Sequence, residues 1–130
     1  MTALDSFSLF GPLPRHAEFM EAASGILAQV SPLARLRALR GASPGWEDAV
    51  WRTLAEAGWT SVTIPEAQGG LGLDIEVLGA IATAAGESPL PEPYLGAGAM
   101  AALVLPAFSA HPLAAELLRG QASTGEMTQV

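Results

Sequence analysis

The densest run of chemically suggestive residues is Gly69-Gly70-Leu71-Gly72, followed by Asp74. A glycine-rich turn that enters a helix can offer backbone amides to a phosphate. This one lacks the Lys-Ser/Thr of a P-loop, and no convincing βαβ unit surrounds it. Asp74 would repel a phosphate at that entrance and serves better as a helix N-cap. A tight turn accounts for the glycines. Arg35, Arg37 and Arg40 cluster in a chain that has no lysine. They can meet an anionic ligand or form a solvated face that balances nearby acids. His16 and His111 have no neighbours at ligand spacing, and a metal site needs several converging donors. His111, before Pro112, fits a helix N-cap. Glu66 is a general base only in isolation, and the adjacent Glu47 and Asp48 point in different directions on a helix. Spacing supports no Ser-His-Asp arrangement. With no cysteine there are no disulfides, no thiolate chemistry and no cysteine-based zinc site. No catalytic residue and no metal site are expected.

The elements that must position these groups read as helices. Residues 51–73 organise the chain as a helix end, a glycine stop, a short extended piece, a proline turn and the glycine loop. Ser43 as N-cap and Pro44 at the first helical position open a helix over 44–57. Trp46, Ala49, Val50, Thr53, Leu54 and Ala57 form its apolar stripe, with Trp51 off that stripe and favoured for core packing over an interface. Gly58 stops it in the left-handed conformation, and Trp59 folds back onto Leu54. Residues 61–64 are extended, since Pro65 biases Ile64 that way.

Upstream, residues 1–14 read as a tail that docks, if at all, through Phe7, Leu9 and Phe10. A first helix covers 15–30, with Phe19, Ala22, Ala23, Ile26, Leu27 and Val30 on its apolar face. Pro32 breaks it, and Leu33, Leu36 and Leu39 continue as a short turn. Downstream, Asp74 caps a helix over 74–85 that is apolar on nearly every side and ends at Gly86. Such a helix is expected to be buried all round. Three prolines in residues 88–93 make a stiff connector. The next helix, from 92 or 93 to 105, is again apolar on all sides yet too short for a bilayer, which needs about 20 residues. Two such helices exceed what one small core covers, so part of this surface is expected to face a partner domain, a subunit or an apolar ligand. A last helix runs over 112–120, and residues 121–130 read as a polar, frayed tail.

The sum is an all-α, up-and-down bundle of four to five helices in one domain over 15–120. Half of the 130 residues are apolar and 15% are charged, which suits a globular chain. The net charge of −7 argues against nucleic acid and anionic membrane surfaces. Neither a secretory signal nor a membrane span is visible, so the cytoplasm is the default location.

Three ordered segments resemble the N-terminal helical domain of acyl-CoA dehydrogenases. The first is Leu54-Ala55-Glu56-Ala57-Gly58-Trp59, then Ile64-Pro65-Glu66, then Gly69-Gly70-Leu71-Gly72-Leu73. The second is the run GESPLPEPY from Gly86 to Tyr94, and the third is Leu117-Leu118 with Gly125-Glu126. Departures from the family pattern are Ala67 for the second acid of the Pro-Glu-Glu loop, Gln68 for the aromatic that often follows, Thr83 and Ala84 for an acidic pair, and Glu87 for an arginine.

The resemblance implies a domain or split subunit of a flavoenzyme that uses FAD to dehydrogenate an acyl-CoA between Cα and Cβ. It implies that the central β-domain would begin near Val130, and that the catalytic glutamate and most flavin contacts lie in parts not present here. This chain alone is therefore expected to be inactive and to hold no FAD. Its implied contribution is one wall of the acyl pocket, from Tyr94, Leu95, Gly98, Ala99 and Ala102. The same small residues equally serve close helix packing. The resemblance also gives the arginine cluster a possible anion, a CoA phosphate. The implied partners are the missing domains or a complementing subunit, and acyl-CoA in the complete enzyme. The alternative is a stand-alone helical binding or assembly module without enzyme activity, which would form a homo-oligomer or bind another protein. A small apolar-ligand carrier is a further alternative and requires a closed cavity.

Overall fold

The computed structural model of the chain describes residues 16–126. They are all-helical, with no strand among them. Six α-helical segments follow in order: α1 Ala17–Val30, α2 Leu33–Leu39, α3 Asp48–Glu56, α4 Ile75–Glu87, α5 Ala101–Val104 and α6 Pro112–Thr124. A π-helical stretch, Tyr94–Met100, leads into α5, and a 3-10 turn, Leu105–Phe108, leaves it. The all-α expectation holds. The helix count exceeds four to five because Pro32 separates α2 from α1 and because the helix expected over 92–105 changes winding along its length. The tail expected over 1–14 lies outside the described residues. Among the described residues no helix is long and apolar enough to cross a membrane.

Local signals explain most boundaries. Gly58 takes φ +87° after α3, and its N–H bonds to Ala55 O while that of Trp59 reaches Leu54 O at 3.1 Å. This pair of bonds is the Schellman closure. Asp74 caps α4 by accepting the Val77 N–H at 2.9 Å, and the His111 ring accepts the Leu113 N–H at 3.2 Å to cap α6.

Several expectations are corrected. α3 starts at Asp48, not Pro44, because the N–H of its N-cap residue Glu47 is taken by the Glu92 carboxylate at 3.0 Å. Its buried face is Val50, Trp51 and Leu54, while Ala49, Thr53 and Ala57 are exposed. Trp51 packs in the core, as favoured for it. Residues 61–64 form a turn rather than an extended piece, closed by Ile64 N–H to Ser61 O at 3.3 Å. α4 continues one residue past Gly86, and it is buried on one side only, since Ile75 is 62% exposed. α6 runs past Gly120 to Thr124, and Gln121, expected in a frayed tail, is fully buried.

Two adjoining cores result. The larger holds Ala23 and Leu27 of α1, the α3 face, Trp59 and Val62, the α4 face with Val77 and Ile81, and Tyr94, Ala97 and Ala99. The smaller joins Ile64, Ala101, Ala102 and Leu105 to Ala114 and Leu118 of α6. At roughly 1.5–3 kcal/mol per fully buried large apolar side chain, these cores are the main favourable term, offset by chain entropy.

Candidate functional site

The π-helical stretch is the most irregular helical element, and π turns inside helices recur at functional sites. Between it, the end of α4 and the proline connector lies an open groove of about 320 Å³. Its walls are Ala82, Ala85 and Gly86 on one side, and Tyr94, Leu95 and Gly96 on the other, with Leu90, Glu92 and Pro93 between. The small residues on the α4 side leave the space.

Of the five residues expected to line an acyl pocket, Tyr94 and Leu95 border this groove, and Leu95 is 64% exposed. Gly98, Ala99 and Ala102 are buried and point into the domain. A Cβ on Gly98 would lie 3.0 Å from the Tyr94 ring and 3.4 Å from the Trp51 ring. That glycine therefore serves close packing, the other use anticipated for these small residues. The Tyr94 ring packs edge-on to Trp59 with centroids 5.4 Å apart, and its hydroxyl donates to Trp59 O at 3.1 Å. Burial raises the Tyr94 pKa well above its ordinary value of 10.0, so the phenol is neutral and structural.

Two polar devices hold the groove walls, and sequence reasoning missed both. Glu92, with a fully buried side chain, pairs with Arg35 of α2 through two bonds, one of them Nη1 to Oε2 at 3.2 Å. Arg35 Nε also reaches Glu47 Oε2 at 2.6 Å. Partial burial works against the Arg35 charge, yet hydrogen bonds and attraction from Glu92 and Glu47 raise its pKa overall. The available signal was a lone acid between Pro91 and Pro93 in a chain poor in charge. Gln121 is the second device: its Nε2 donates to Thr60 O at 3.0 Å and to Gly98 O at 2.7 Å, bridging the two cores. Nothing in its local sequence marks it.

The glycine loop is a turn and not a phosphate cradle. Every backbone N–H over residues 68–73 is bonded inside the loop and its base, to Pro65, Glu66, Ser61, Ile64 or Val62 carbonyls. No amide there remains for a phosphate or for the diphosphate of a flavin nucleotide. Gly70 is required because a Cβ would overlap the Ile64 carbonyl. His16, without companions in chain spacing, is brought by the fold to Asp74 and Glu76, with ligand-type atoms all within 4.8 Å. Asp74 and Glu76 are exposed, and Asp74 already caps α4. Glu66 is exposed and opens a 3-10 turn, Glu66–Gln68.

An apolar surface remains on the helix that borders the groove and on the following elements. Leu95, Met100, Leu103, Val104, Phe108 and Leu113 are each more than one-third exposed. One side of the helix beyond the connector is buried, and the other is left open by the described residues.

In a comparison with known families, the model of the acyl-CoA dehydrogenase N-terminal domain matches residues 14–123. No match was found among curated proteins or solved structures. The match covers most of the chain, and the all-helical fold agrees with it, so the chain belongs to the acyl-CoA dehydrogenase family, as an N-terminal domain.

Proposed function

We propose that this domain works within an acyl-CoA dehydrogenase-like flavoenzyme, where it forms one wall of the acyl-binding cavity and is not catalytic alone. The observation that carries this reading is the groove beside the π-helical stretch. It is walled by alanine and glycine on the α4 side and by Tyr94 and Leu95 on the other. Leu95 is its large exposed side chain, placed to touch an apolar chain lying there. The buried Gly98 sets how closely the wall approaches Trp51 and Tyr94.

The glycine loop offers no free amide to the diphosphate of FAD. In this reading the flavin and the base that abstracts the Cα proton are supplied by partner domains or a complementing subunit. Alignment of those groups to within about an ångström is what such catalysis demands. A second reading, a stand-alone binding or assembly module, draws on the exposed apolar row from Leu95 to Leu113.

Light scattering and visible absorption on the protein purified from its native host separate the two readings. Co-purification with a larger, yellow partner that oxidises acyl-CoA supports the flavoenzyme. A colourless monomer or homodimer refutes it in favour of the module. Within the complete enzyme, Leu95→Trp is expected to lower kcat/KM for long acyl chains at least tenfold more than for short ones. Unchanged chain-length preference would remove the wall assignment.

A further inference from the structure

The described residues contain a second groove of about 360 Å³, between α2 and the turn that follows it. It is lined by Leu36, Arg37, Leu39, Arg40 and Gly45. Its size falls within the range of small-molecule sites, about 300–1,000 Å³. Two independent features single it out. α2 contains no buried residue, and Leu36 and Leu39 are only half-buried among the described residues, which leaves part of their apolar surface open in this groove. The charges are also uneven. Arg35 and Arg52 are neutralised by Glu47, Glu92 and Asp48, whereas Arg37 and Arg40 have no carboxylate partner among the described residues. Arg119 also has no ion pair among the described residues, but only Arg37 and Arg40 stand beside apolar side chains in a groove.

We infer that this groove binds a small amphiphilic anion, with an alkyl chain against Leu36 and Leu39 and a carboxylate head between Arg37 and Arg40. Guanidinium forks suit a carboxylate, and charge-assisted bonds are stronger than neutral ones. The inference is independent of the acyl-wall reading, because the two grooves share no lining residue.

The test is isothermal titration of the full chain with decanoate, with decanol and acetate as probes of the separate parts. Decanoate is expected to bind at one site, and decanol and acetate at least tenfold more weakly. Arg37→Gln with Arg40→Gln is expected to weaken decanoate by about tenfold per arginine, each factor of ten being about 1.4 kcal/mol. Both residues are exposed, so the variant keeps its fold, checked by unchanged thermal unfolding. Leu36→Asp gives the same loss from the apolar side, and Arg119→Gln, at an exposed arginine that lines neither groove, leaves binding unchanged. Absence of decanoate binding overturns the inference. So does binding that survives the double arginine change, or binding that Arg119→Gln weakens as much.

Discussion

Replacing Arg35 by methionine tests the idea that an ion pair, rather than a core, holds α2 to the domain. Glu92 has a side chain fully shielded from water, and Arg35 is about 10% exposed. Arg35→Met leaves the Glu92 carboxylate with the Glu47 N–H at 3.0 Å as its remaining donor. Removing one partner of a buried pair costs about 3–5 kcal/mol, chiefly because the other charge is left uncompensated. The Arg35–Glu47 contact, with Glu47 47% exposed, adds at most about 1 kcal/mol. A domain of this size is stable by about 5–15 kcal/mol, so the variant loses a large share of it. Urea unfolding followed by tryptophan fluorescence reads this as a lower midpoint at unchanged slope. Amides of α2 lose hydrogen-exchange protection first, since no buried residue anchors that helix. The double variant Arg35→Met with Glu92→Met removes both charges and is expected to recover most of the loss. A cost below about 1 kcal/mol for Arg35→Met, or strict additivity in the double variant, would refute the reasoning.

Three further predictions follow from single contacts. Burial raises the Tyr94 pKa in the folded chain, so its stabilising contribution is complete below the unfolded value of 10.0 and is lost as pH rises above it. Tyr94 is the only tyrosine, so absorbance at the tyrosinate band reports it alone; titration at its ordinary pKa while the chain stays folded would contradict the burial argument. Gly70→Ala forces a Cβ onto the Ile64 carbonyl and is expected to cost more than about 3 kcal/mol by thermal or urea unfolding. Gln121→Leu leaves the Thr60 carbonyl without its side-chain donor, while Gly98 O keeps the Ala101 N–H, and is expected to cost about 1–3 kcal/mol for the one stranded group. Unfolding midpoints within error of wild type would show that water replaces the amide.

Stop and start signals that act within one turn were legible in the chain. Gly58, Asp74 and His111 each do what their neighbours require, because capping is settled over three or four residues. Boundaries set by a distant partner were not. The start of α3 depends on Glu92, 45 positions away from Glu47, and proline at 44 looked like a start only because that carboxylate is invisible locally. Gly120 reads as a helix stop, yet its missing Cβ makes room for the Glu126 side chain and the helix continues. A stopping glycine and a packing glycine look alike in sequence. The α3 face was misjudged for a similar reason: Trp51 turns inward because its Nε1–H donates to Gly125 O at 2.6 Å, a contact made by the end of α6. For the candidate site, the segment was legible from the family resemblance, but the direction of each side chain was not.

That direction decides which substitutions can speak about binding. Within the π-helical stretch, Tyr94, Ala97, Gly98 and Ala99 are buried, while Leu95, Gly96 and Met100 face outward. Ala99 is 1% exposed, so a bulky residue there overpacks the larger core and costs about 1–3 kcal/mol before any ligand is added. Its effect on chain-length preference would be confounded with misfolding. Leu95 can change size with little cost to the fold, since the added bulk enters the groove. Ala99→Phe is therefore expected to shift the unfolding midpoint and Leu95→Trp is not, whereas an acyl-binding assay is expected to respond to Leu95→Trp in the folded protein. If Leu95→Trp destabilised the chain as much as Ala99→Phe, the segment would be packed on both faces, and the groove could not receive a ligand in this conformation.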